Sequence, residues 1–269
     1  MNTFVQYEQR DAIATITLNR PERLNTMSDE LMEGAVAAIE RAASDDSVRV
    51  VILTGTGRGF CAGGDLGVLS ERGKALAAGH GKTSRQTRVA LLRRSMQSSQ
   101  LLHEMDKVTI AAINGACAGA GLSWACACDL RFAAQRAKFN VAFRNAGLSG
   151  DFGGTWTLPR IVGPAKAREL YLLSPRFDAE EAARIGLVSK VLPDDELIAH
   201  VNLVADDLAD AAPIALRLMK RNLIDSMRTA FGEQLDREAE RHITATMTED
   251  HLEAASAYLQ KRKPVFKNR

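Results

Sequence analysis

The sequence predicts an α/β fold. Strand-like runs alternate with helical stretches from Phe4 to Pro159, and several of the runs are apolar without interruption, as strands buried on both faces are. The length of 269 residues suits one large core with an appended helical segment.

Phe4 to Glu8 and Ala12 to Leu18 alternate apolar with polar residues across Arg10-Asp11, the pattern of a hairpin. Ser28 is a good N-cap for a helix carrying Leu31, Ala35, Ala38, Ile39 and Ala42 on one face. Val48 to Leu53 is a β-branched strand closed by Thr54-Gly55. An amphipathic region from Arg85 to Glu104 leads into a strand at Val108 to Ile113, a helix at Gly119 to Cys128 and a strand at Leu130 to Ala133. Val108 to Cys128 is free of charge and long enough to span a bilayer. Its glycines, Asn114 and many Ala, Cys, Ser and Thr residues favour a buried strand, turn and helix in series. Beyond Pro159 helices dominate, at Pro164 to Leu173, Ala179 to Ile185, Asp194 to Asp210, Ala215 to Met227 and Phe231 to Lys261, with one strand at Leu187 to Leu192.

Charge excludes some partners. Thirty-five basic residues against thirty-three acidic ones leave a formal +2, which speaks for neither nucleic acid nor a membrane surface. Cys61, Cys117, Cys126 and Cys128 lack paired metal-site spacing and read as buried thiols, so no metal is expected. Met1 to Arg10 show no export or import signal, and a cytoplasmic location is the expectation.

Two glycine-rich segments stand where chemistry is expected. Arg58-Gly-Phe-Cys-Ala-Gly-Gly-Asp-Leu66 follows a strand, and its glycines permit either a tight turn or close approach to a ligand. Asn114-Gly-Ala-Cys-Ala-Gly-Ala-Gly-Leu122 turns a strand into a helix, whose first amides suit developing negative charge; tight helix–sheet packing explains it equally.

Taken with Asn19-Arg-Pro-Glu-Arg-Leu-Asn25, these segments resemble, in order and spacing, the signatures of the crotonase (enoyl-CoA hydratase/isomerase) superfamily. Gly153 to Gly163, Ala182 to Val188 and Lys261 to Phe266 extend the likeness over nearly the whole chain. The resemblance implies a crotonase-like spiral of ββα units over residues 1–200 and a helical C-terminal trimerisation region over 201–269. It also implies an acyl-CoA substrate, self-association as a trimer or dimer of trimers, and no cofactor, coenzyme A being part of the substrate.

By the same resemblance the N–H groups of Gly64 and Ala120 form an oxyanion hole, in which each donor is worth about 2.7–4 kcal/mol. Ala62, Asp65 and Leu66 fall at the coenzyme A contacts, and Asp65 has the alternative of capping its turn. Tyr258 and Lys261 fall where a neighbouring subunit's coenzyme A is reached, although a solvated helix face accounts for Lys261 as well.

The likeness departs from the hydratases at Ser123 and Phe143, where they carry two water-activating glutamates. Neither replacement is a base at neutral pH. A carboxylate stands instead at Asp151, in a register like that of ring-epoxide isomerases of phenylacetyl-CoA, dienoyl-CoA isomerases and aryl-CoA dehalogenases. The bland account is an N-cap for the helix starting near Gly153. In a pocket walled by Phe143, Phe152 and Trp156, desolvation would raise its pKa, and the helix N-terminus would lower it. The dehalogenase pattern wants tryptophan where Phe143 stands. Three readings follow: an isomerase with Asp151 as acid and base, a hydratase with a substituted water-activating set, and a CoA-ester-binding member with little turnover. Residues after Leu66, through Gly73 to Lys82, read as an irregular lid or surface loop; Glu71 and His80 there, like His103, His242 and His251, have no partners at informative spacing.

Overall fold

The computed structural model describes residues 3–77 and 84–269. The chain opens with the expected hairpin, β1 (Val5–Arg10) against β2 (Ile13–Leu18), paired from Val5 opposite Leu18 to Arg10 opposite Ile13. Helix α1 (Asp29–Ser44) begins where Ser28 Oγ accepts from the Leu31 N–H at 3.3 Å. It buries Leu31, Ala35, Ala38, Ile39 and Ala42, the apolar face its spacing predicts.

Next come β3 (Val50–Gly55), β4 (Gly59–Cys61), α2 (Leu66–Ala77), α3 (Arg85–Ser95), α4 (Gln97–Glu104), β5 (Val108–Ile113), β6 (Ala116–Ala118), α5 (Ala120–Ala127), β7 (Leu130–Ala134) and β8 (Lys138–Asn140). The long strands enter one sheet, ordered β1-β2-β3-β5-β7, and each short strand enters a second, ordered β4-β6-β8. Strand to the first sheet, strand to the second, then helical chain: this repeated turn makes the ββα spiral. Both sheets are parallel apart from an antiparallel strand at one edge, β1 in the first and β9 (Phe177–Asp178) in the second. The uncharged Val108 to Cys128 stretch is β5, β6 and α5 in series, and no helix among the described residues is long and apolar enough to cross a membrane.

The remaining helices are α6 (Gly154–Val162), α7 (Pro164–Leu173), α8 (Ala179–Arg184), α9 (Leu197–Asp210), α10 (Pro213–Ser226), α11 (Phe231–Thr246) and α12 (Glu249–Gln260), with β10 (Lys190–Leu192) closing the first sheet. Leu197, Val201 and Ala205 of α9 cover Ile13, Val50, Ile52 and Ile110, so the division drawn at residue 200 falls inside a helix of the core. The expected helix over Phe231 to Lys261 is interrupted at Met247-Thr248, where Thr248 Oγ1 caps α12 by accepting from His251 N–H. The region after Leu66, read as irregular, is helical through Ala77: Asp65 Oδ1 accepts from the Gly67 and Val68 amides and starts it. The rest of that expected loop, with His80, lies outside the described residues.

Helix α10 is tied to the core by a buried cation. Lys220 Nζ donates to Asp129 Oδ2 at 2.8 Å and to the Lys107 carbonyl at 2.9 Å, and Asp129 also accepts from Thr109 N–H. Removing one member of a buried pair strands the other. Lys220→Ala is therefore expected to lower stability by about 2–4 kcal/mol, read as a lower denaturant midpoint at unchanged slope.

Candidate active site

The three signature segments meet. The stretch from Leu24 to Met27 lies beside residues 62–65: Ala62 N–H donates to the Leu24 carbonyl at 3.0 Å, Met27 N–H to the Gly63 carbonyl at 2.8 Å, and Asp65 N–H to the Met27 carbonyl at 3.4 Å. Arg20 Nη1 holds Asp65 Oδ2 at 2.9 Å. Asn25 and Asn114, from two different motifs, both donate to the Gly59 carbonyl, at 2.7 and 3.1 Å. The motifs thus brace one another.

The amides of Ala62, Gly63 and Asp65 have partners, and that of Gly64 has no acceptor among the described residues. The same holds for Ala120, first residue of α5, whose position leaves its N–H without an intrahelical carbonyl. Each follows a left-handed glycine, Gly63 at φ +88° and Gly119 at φ +52°, a conformation that turns the next peptide out of its element. The two glycines are neighbours: a Cβ on Gly63 would lie 3.5 Å from Ala120 N, and one on Gly119 would lie 3.8 Å from Gly63 Cα. Gly121 closes the contact, because a Cβ there would stand 2.2 Å from the Cys61 carbonyl oxygen.

Asp151 sits in a turn of unusual backbone. Gly150, Phe152 and Gly153 all have positive φ, and +49° for Phe152 is strained for a bulky side chain. The capping role suggested for Asp151 is not what its side chain does: Gly153 is the N-cap of α6, no side chain caps it, and Asp151 contributes only its carbonyl, to Gly154 N–H. Its Oδ1 is buried without a hydrogen-bond partner among the described residues. Burial pushes the carboxyl up to about 6 from 3.8.

Phe143 and Phe152 are buried, and Phe152 packs edge-on against Trp124 at 5.9 Å. Trp156 is engaged elsewhere, by His103 at 5.2 Å and by the Arg160 guanidinium at 4.0 Å, and does not line the small cavity beside Phe143. That cavity is lined by Gly119, Ser123, Phe143, Gly154 and Tyr171 among others. Tyr171 went unnoticed in the sequence because it stands mid-helix, with no local signal.

Asp65 is occupied by Arg20 and by its capping bonds; burial raises its pKa, but these bonds outweigh burial and hold the carboxyl below the ordinary range. Ala62 is half-buried beside it, and Leu66 opens α2. Tyr258 is 84% exposed on α12, and Lys261 is its exposed, left-handed C-cap. Within the single chain α12 packs on α11, apart from the signature segments. The four cysteines are free and buried, and burial pushes Cys61 up to about 12. Among the described residues no group of three or more potential ligands is arranged to hold a metal.

The enoyl-CoA hydratase/isomerase family model matches residues 8–269. Curated relatives include a 1,2-epoxyphenylacetyl-CoA isomerase of Escherichia coli K12, 36% identical with 99% of each chain covered. A 2,3-dehydroadipyl-CoA hydratase of the same organism is also 36% identical, with 98% of each covered. Among solved structures, one described as a putative enoyl-CoA hydratase from Streptomyces coelicolor A3(2) aligns at TM-score 0.91 and 30% identity, over 99% of this chain and 94% of that one. A chain with these motifs, this spiral and these relatives belongs to the enoyl-CoA hydratase/isomerase family, and its fold is that of the crotonases.

A carboxyl raised by burial favours the fold where it is protonated. The contribution is fully present below about pH 3.8 and is lost as pH rises through about 6. Asp151→Asn is accordingly expected to be more stable than wild type by about 1–3 kcal/mol above pH 7, with the advantage gone by about pH 4, read from thermal midpoints across pH.

Proposed function

We propose that this chain is an acyl-CoA isomerase that moves a proton between two carbons of its acyl group through an enolate, with Asp151 as acid and base. The observation that carries this reading is the half-buried carboxyl of Asp151, with an unpartnered Oδ1 and a pKa raised to about 6, in a chain that leaves the amides of Gly64 and Ala120 without an acceptor among the described residues. The thioester oxygen lies between Gly64 N–H and Ala120 N–H. Asp151 takes a proton from the α or γ carbon, and the electron pair moves into the conjugated system and onto the carbonyl oxygen. The two amides stabilise that charge without reorganising. The carboxylic acid so formed returns the proton to the other carbon, a shift of a double bond or of a ring. A pKa near 6 serves both halves of the cycle at neutral pH.

Ala62, Asp65 and Leu66 take the adenine and pantetheine end of coenzyme A, which enters as part of the substrate; the scheme uses no other cofactor. The exposure of Tyr258 and Lys261 supports their reaching a neighbouring copy's coenzyme A in a trimer or dimer of trimers. The working compartment is the cytoplasm. Hydratase names among the relatives support water addition as a second reading. Against it, Ser123 and Phe143 supply no carboxylate where the hydratases of the family use two.

Asp151→Asn is expected to lower isomerisation and solvent-deuterium exchange at the substrate by about 10²–10⁴-fold while changing CoA-ester affinity little. Retained exchange, or 3-hydroxyacyl-CoA as the main product, contradicts the reading. In the wild type the free-enzyme rate is expected to rise through about pH 6 and level above it, since the base is the ionised form.

A further inference from the structure

The acid–base cycle leaves Tyr171 unused. Its ring lies parallel to that of Phe143, with 6.1 Å between centroids and 4° between planes. Its hydroxyl meets Gly154, the first residue of α6, on the same side as the hydroxyl of Ser123 from α5. A Cβ on Gly154 would stand 2.5 Å from Tyr171 Oη and 2.4 Å from Ser123 Oγ, so only glycine lets both oxygens in. Ser123 is buried and spends its proton on a long bond of 3.4 Å to the Gly119 carbonyl, leaving its oxygen free to accept. Tyr171 Oη has no hydrogen-bond partner among the described residues. Burial, then the neighbouring Cys126 and Asp151, raise its pKa and keep it a protonated donor.

Both residues line a cavity of about 10 Å³, room for one group the size of a water molecule. Its other walls are mainly apolar, from Leu122, Val141, Phe143 and Leu158, and Gly119 joins it to the amide of Ala120. One donor and one acceptor, both close to Gly154, therefore belong to the lining of an otherwise apolar recess that also includes Gly119. A hydrocarbon end would leave the Tyr171 hydroxyl without an acceptor and the Ser123 oxygen without a donor, which is how a site rejects an analogue lacking a polar group.

We infer that Ser123 and Tyr171 form a specificity pocket for a single oxygen substituent carried by the acyl group, so that the favoured substrates are oxygenated acyl-CoA esters and not plain hydrocarbon ones. The inference rests on the acyl-CoA reading above and names the substrate class within it.

Dissociation constants measured by calorimetry test it. The probes are 3-hydroxyphenylacetyl-CoA, 4-hydroxyphenylacetyl-CoA and 6-hydroxyhexanoyl-CoA, each against its parent phenylacetyl- or hexanoyl-CoA. At least one hydroxylated ester is expected to bind about tenfold tighter than its parent. That ratio should fall to about one in Tyr171→Phe, which keeps the ring against Phe143, and in Ser123→Ala. A ratio near one for every pair in the wild type, or a ratio that survives either substitution, overturns the inference. Proton exchange at the α carbon is followed in the same wild-type preparation. Absent exchange with an intact ratio defeats the isomerase reading alone, and intact exchange with a ratio of one defeats the oxygen pocket alone.

Discussion

The contact between residues 62–65 and the start of α5 is the constraint on which the other features depend. Gly121 presses α5 against the Cys61 carbonyl, Gly63 and Gly119 abut, and the stretch from Leu24 to Met27 takes up the hydrogen bonds of the loop on its far side. Two amides are left over. Gly64 is exposed and Ala120 is buried; a buried N–H without an acceptor is costly, and a fold retains it where the cost is returned by something it binds. With an acyl thioester that return would be largest when the carbonyl oxygen becomes an enolate oxygen, because backbone donors need no reorganisation.

Much of this was legible in the sequence because it is local. The hairpin, α1 and the strands β3, β5 and β7 declare themselves by period, by β-branched runs and by the Ser28 cap. The second sheet is not legible: β4, β6 and β8 are three residues each, too short for any period, and only their place in the spiral makes them strands. The helix at Leu66–Ala77 was misread because its start signal, Asp65, precedes a glycine-containing polar stretch that looks like a loop.

The site was legible in part, and its limits are physical. Glycines and a helix start mark where amides can be exposed, and the choice of residues 64 and 120 comes from the family resemblance. The state of Asp151 is not legible there: its side chain leaves the N-cap of α6 to Gly153, and its Oδ1 is buried beside a turn of positive-φ residues, Gly150, Phe152 and Gly153. Tyr171 reaches the same place from α7, some twenty residues on, through tertiary packing that no local pattern encodes. The bracing asparagines, Asn25 and Asn114, converge on Gly59 for the same reason.

In the proposed mechanism Gly64 and Ala120 polarise an acyl thioester. Isotope-edited infrared spectroscopy of a CoA ester labelled with ¹³C at its carbonyl reads that interaction directly. The carbonyl stretch of the bound ester is expected to move to lower frequency than in water, and to do so in Asp151→Asn as well, since the clamp is backbone. A bound ester whose carbonyl absorbs at its free-solution frequency would contradict it.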